Sequence, residues 1–119
     1  MQKSKVYDLK KRTFLLSTEV ISFIKSLPSD YIAQTIGRQL LRSITSIGAN
    51  IIEAQAASSK KDFANYYNIA LKSANESKYW FLLLKSTNQG NKERIEQLLQ
   101  EIIEISNILA KSILTIRNK

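Results

Sequence analysis

Cysteine and histidine are both missing from this chain of 119 residues. Without cysteine there are no disulfides and no thiolate zinc sites. Without histidine the commonest general base, the Ser-His triad and most transition-metal sites are gone. Ribonuclease motifs built on an Arg and a His go with them. Proline occurs once, at Pro28, and glycine three times, at Gly37, Gly48 and Gly90. Little of the chain is therefore available for turns, and the composition favours a few long helices over many short strands. The longest apolar run, 79–84, falls far short of a membrane span. Any catalysis would rest on carboxylates, Lys, Tyr or Arg alone. The chain therefore reads as a non-enzyme with no cofactor and no metal.

What is present is a foldable, basic chain. Apolar residues make up 44% of it, enough for a core in a single domain spanning 1–119. The formal charge is +8 and unevenly spread. Lys3, Lys5, Lys10, Lys11, Arg12 and Lys25 outnumber the acids of the first segment, and Lys60, Lys61, Lys72, Lys78 and Lys85 do so in the third. A basic balance favours acidic partners such as nucleic acid, and it also simply aids solubility. The apolar stretch after the N-terminal bases is broken by Ser17, Thr18 and Glu19, so no signal peptide is read and a cytoplasmic location is expected.

Apolar spacing predicts four helices. The first covers about 7–27, with Leu9, Leu16, Val20, Phe23, Ile24 and Leu27 at three- and four-residue intervals and Pro28 as its stop. The second covers about 30–57, opening on Ser29 or Asp30 as cap. Ile36, Leu40, Ile44, Ile47, Ile51 and Ala54 form its stripe, and Leu41 and Ile52 widen the apolar arc. Ser59 and Asp62 mark the start of the third, about 59–87. Gly90, suited to a left-handed turn, and Asn91, suited to a cap, separate it from the fourth, about 91–117, whose acids come early and bases late as the helix dipole prefers. Short connections make sequential helices antiparallel neighbours. The fold class is all-α, an up-down-up-down four-helix bundle.

Within the second helix a polar row runs beside the isoleucine stripe, and here the residues become familiar. The segment QLLRSITSIGANIIEAQAASSKKDFANYYNIALKSANES, residues 39–77, resembles the bacterial four-helix-bundle family of 23S rRNA intervening-sequence proteins. The pattern Q-x-x-R-(A/S)-x-x-S-I-x-x-N-I-x-E-G is met by Gln39, Arg42, Ser46, Ile47, Asn50, Ile51 and Glu53. Lys61, Phe63, Ala70, Ser73 and Glu76 match its continuation, and SLPSD matches its Leu-Pro junction. Ala54 and Lys72 stand where that family often has glycine, and both favour helix over bend. The resemblance implies a protomer of a ring-like homo-oligomer, typically a pentamer. The related accessory proteins of diversity-generating retroelements bind nucleic acid and a reverse transcriptase. Neither resemblance names a reaction.

The row Gln39, Arg42, Ser43, Ser46, Asn50 and Glu53, with Ser73 and Glu76 on the next helix, admits several roles. A solvent face is ordinarily richer in Lys and Glu. A catalytic centre needs a nucleophile beside an activating base, and a diiron bundle needs Glu-x-x-His pairs, so neither is expected. We expect a buried hydrogen-bonded seam in which Glu53 and Glu76 each find an Arg or amide donor. Lys3, Lys5, Lys10, Lys11, Arg12, Lys60 and Lys61 fall at one end of an antiparallel bundle. They form either an electrostatic footprint for RNA or DNA phosphates or ordinary solubilising charge. Tyr66, Tyr67, Tyr79 and Trp80 can stack bases, but at helical spacing they are expected in the core or an interface. The expected partners are further copies of the chain, nucleic acid, and a reverse transcriptase or other protein, with no membrane. A pure protein–protein adaptor remains the alternative.

Overall fold

The computed structural model describes residues 5–118, with side chains from Leu9 onward. These residues form four α-helices and no strand: α1 Lys5–Lys25, α2 Tyr31–Gln55, α3 Lys60–Ser86 and α4 Lys92–Arg117. Each start after the first is fixed by a side chain that satisfies an otherwise orphaned backbone donor. Asp30 accepts from Ala33 N at 2.9 Å, Ser59 from Asp62 N at 3.0 Å and Asn91 from Arg94 N at 2.8 Å.

The stops are equally local. α1 tightens through Ser26 N to Phe23 O and Leu27 N to Ile24 O before Pro28. α3 closes by a Schellman arrangement, with Gln89 N donating to Leu84 O at 2.8 Å and Asn88 N to Lys85 O at 3.2 Å. The left-handed residue that this closure requires is Asn88, at φ 57°. Gly90 is left-handed as well, at φ 86°, and swings the chain towards α4.

Cross-helix contacts establish the topology. Arg12 meets Glu101 and Glu104, while Glu19 meets Arg94, so α1 and α4 run antiparallel. Lys85 meets Glu96 across α3 and α4, and Ser43 meets Ser77 across α2 and α3. Gly48 faces Thr13 and Gly37 faces Leu27, which places α1 against α2 in the same sense. The backbone of each helix lies against its two neighbours, and the diagonal helices meet only through side chains in the core. The result is a bundle of 48 × 30 × 20 Å.

Its core is assembled from one stripe per helix. Leu16, Val20 and Phe23 meet Leu40, Ile44 and Ile47, then Ala74, Phe81 and Leu84, then Leu98, Ile102 and Ile105. Burial of each such aliphatic contributes about 1.5–3 kcal/mol. Phe23 and Phe81 lock opposite helices across the core, their ring centroids 5.5 Å apart. The whole expected stripe of α2 is buried, whereas Leu41 and Ile52, which widen it, are exposed. Among the described residues no helix is long and apolar enough to cross a membrane.

Candidate functional site

α2 and α3 share the most extensive contact in the bundle. Small residues make that approach possible, because Ser43, Ala70, Ala74 and Ser77 are all buried there. The polar row of α2 runs along this seam and grades from dry to wet. At its inner edge Ser43 Oγ and Ser77 Oγ are 2.8 Å apart and buried. One step outward, Ser73 Oγ donates to Ser46 Oγ at 2.9 Å, and Asn50 Nδ2 donates to Ser46 O at 2.8 Å and to Ser46 Oγ at 3.1 Å. At the outer edge Arg42 Nη2 donates to Gln39 Oε1 at 2.9 Å and to Glu76 Oε2 at 2.8 Å. Trp80 Nε1 donates to the same Glu76 oxygen at 2.9 Å.

Two members of the row depart from a buried seam. The Arg42 side chain is 66% exposed, so its pair with Glu76 lies at the surface and contributes about 0–1 kcal/mol. The Glu53 side chain is exposed and has no hydrogen bond or ion pair among the described residues. The reason is angular. At 100° per residue, Arg42 and Glu53 stand farther round the helix from the core than Ser43 does. Ser77 and the Trp80 indole, which complete the seam from α3, were not singled out by the sequence pattern as members of it. The hydroxyls of the seam meet carbonyls and one another, not a base, and no three carboxylates converge among the described residues.

The aromatics divide. Tyr67 is fully buried against Phe63, their ring centroids 4.5 Å apart, while Tyr66 and Trp80 are half-buried and Tyr79 is exposed. Burial raises the Tyr67 phenol above the ordinary tyrosine range, and its hydroxyl has no hydrogen-bond partner among the described residues.

The basic end differs from the expectation in composition. The side chains of Lys3 and Lys5 lie outside the described residues. Arg12 does not join the rim, because it is committed to α4. Its Nε donates to Glu101 Oε2 at 3.0 Å and its Nη2 to Glu101 Oε1 at 2.6 Å, with Glu104 Oε1 at 3.1 Å. The hydrogen bond to Glu101 holds the guanidinium protonated more firmly still. Lys10, Lys11, Lys60 and Lys61 are all exposed. The last two turns of α4 bring Lys111 and Arg117 to the same end. None of these six cations has an ion pair among the described residues, whereas Arg12, Arg42, Lys85 and Arg94 all do. The α4 bases look on sequence like simple complements to the helix dipole, and the antiparallel topology is the signal that assigns them to the rim.

Residues 5–111 match the family described as 23S rRNA-intervening sequence protein. A solved structure is also similar, a protein of unknown function from the S23 ribosomal protein family of Bacteroides thetaiotaomicron VPI-5482. It is 37% identical, with a TM-score of 0.86 over 92% of this chain and 98% of that one. No curated protein matches the chain.

Proposed function

The chain belongs to the 23S rRNA-intervening sequence protein family, and from that premise we propose that it is a non-enzymatic, cytoplasmic scaffold that binds RNA or DNA through its basic end. The observation that carries this is the concentration of unpaired cations there. Lys10, Lys11, Lys60, Lys61, Lys111 and Arg117 outnumber the acids beside them among the described side chains of that end, where Glu53 and Asp62 stand and Glu101 and Glu104 are engaged by Arg12. A long unpaired charge is well solvated and available to a phosphate, and each contact made releases condensed counterions.

The protomer acts as part of a homo-oligomer, for which a pentamer is the proposed state. Large apolar side chains left in water support association: Phe14 is 68% exposed and Ile52 50%, both bordering a groove between α1 and α2. A ring would repeat the basic end once per protomer and raise avidity for a polyanion. The same exposed apolar groove favours a second reading, a protein–protein adaptor for a reverse transcriptase or other protein, with the lysines only solubilising.

Binding to long RNA and long DNA over a salt series tests the first reading. The expected result is sequence-tolerant binding whose log affinity falls linearly with log salt. The variant K10Q/K11Q/K60Q/K61Q loses that binding while light scattering shows an unchanged particle size. No binding at micromolar protein in low salt overturns the nucleic-acid role and leaves the adaptor. A particle of 13.6 kDa overturns the oligomer.

A further inference from the structure

Two hollows adjoin at the basic end, and they differ in character. One, of about 430 Å³, is lined by Lys60, Lys61, Ala64, Asn65, Ile116 and Arg117. Three of these six side chains are cations without an ion pair among the described residues, and Asn65 adds an amide. The other, also about 430 Å³, is mainly apolar, with Ala54, Ala57 and Phe63 among its walls and the hydroxyl residues Ser58 and Ser59 at its edge. Lys60 and Ile116 line both hollows, so the two meet at a shared wall.

We propose that these joined hollows form a site for a nucleoside monophosphate, with the phosphate against Lys60, Lys61 and Arg117 and the nucleoside across Ile116 towards Phe63. The charge suits a phosphomonoester better than an internal diester, because a dianion gains more from three cations than a monoanion does. Backbone donors add to the site. In the first turn of α3, Asp62 N is taken by Ser59 Oγ and Phe63 N by Ser59 O. The N–H groups of Lys60 and Lys61 have no partner among the described residues, and they belong to the positive end of a 27-residue helix. On the far side, Phe63 is half-buried and braced by Tyr67, so it offers a fixed aromatic surface to a base.

For a nucleic acid this makes the site a reader of the 5′-phosphorylated end, and that part rests on the proposed function. For a free nucleotide it stands without it. Amide NMR titrations of the whole chain with inorganic phosphate, adenosine and AMP test the pocket directly. Phosphate and AMP are expected to shift Lys60, Lys61, Asn65 and Arg117, and AMP alone to shift Ala57 and Phe63 as well. K61Q/R117Q is expected to weaken AMP about tenfold with its spectrum otherwise dispersed as before. In parallel, a single-stranded oligonucleotide with a 5′-phosphate is expected to bind about tenfold more tightly than its 5′-hydroxyl twin. AMP producing no shift at these residues overturns the pocket, even where both oligonucleotides bind equally well through the rim. AMP shifts in a protein that binds neither oligonucleotide uphold the pocket for free nucleotides and overturn the rim.

Discussion

Ser43 Oγ and Ser77 Oγ lie 2.8 Å apart at the inner edge of the α2–α3 seam, both closed off from solvent. Each hydroxyl also has a local carbonyl within reach, Leu40 O at 3.2 Å from Ser43 and Ser73 O at 2.9 Å from Ser77. When one serine is removed, the other can still turn its proton to its own carbonyl. S43A and S77A are therefore each expected to cost about 1 kcal/mol, typical of one net hydrogen bond. The double variant is expected to cost about 0.5 kcal/mol less than the sum, since the shared bond can be lost only once. Chemical denaturation of the three variants measures this, and strictly additive losses would show that the hydroxyls act independently.

Tyr67 is the converse case, a fully buried hydroxyl with nothing to bond among the described residues. Tyr67→Phe keeps the ring and its contact with Phe63 while removing a desolvated polar atom. It is expected to be neutral or to stabilise by up to about 1 kcal/mol. The gap depends on pH in a definite direction. Burial raises the folded-state pKa, so above the ordinary tyrosine value of about 10 the native chain holds a proton that the unfolded chain releases. Native Tyr67 thus costs progressively more stability as pH rises past that value, and the phenylalanine variant is spared this loss. Melting both proteins from neutral to alkaline pH should show the difference widening upward. A constant difference would place a hidden partner on the hydroxyl.

Gly48 and Gly90 should respond oppositely to alanine. Gly48 is interior to α2, and a Cβ there would sit 3.4 Å from Thr13 Oγ1, an ordinary contact. Gly48→Ala is expected to stabilise by up to about 1 kcal/mol through helix propensity. Gly90 has φ 86°, and its Cβ would come 2.9 Å from Phe23 Cζ. Gly90→Ala is expected to cost about 2 kcal/mol or more from the left-handed backbone and the clash together. Equal effects at the two positions, read from thermal melts, would contradict both local pictures.

The parts of this molecule that depend on near neighbours in sequence were legible in advance. The caps Asp30, Ser59 and Asn91 and the stripe Ile36 to Ala54 follow from spacings of three and four residues, which is the range over which a helix writes its own pattern. What was not legible depends on contacts between distant residues. Arg12 reads as one more N-terminal cation until α4 supplies Glu101, 89 positions away. Arg117 reads as a dipole complement until the fold sets it beside Lys60 and Lys61. The seam is an intermediate case. Its residue types announce hydrogen bonding, but only helix rotation separates buried Ser43 from exposed Arg42 and Glu53.

Arg12 offers the test that separates stability from binding. Its two-pronged grip on Glu101 spans α1 and α4, the least extensive helix contact in the bundle, and both side chains are largely shielded, at 26% and 32% exposure. Arg12→Gln removes the fork and leaves Glu101 and Glu104 facing a neutral amide, so a loss of about 1–2 kcal/mol is expected. Arg12→Lys keeps the charge but not the paired geometry and should recover only part of that. Because Arg12 is occupied by carboxylates, neither variant should change affinity for RNA or DNA by more than about twofold at fixed salt, whereas neutralising Lys60 and Lys61 should also flatten the salt dependence by about two phosphate contacts. The measurement pairs a melting curve with a salt series on the same preparations. If Arg12→Gln weakened binding as much as the lysine pair did, the ion pair would have to open on contact with nucleic acid, and Arg12 would belong to the rim after all.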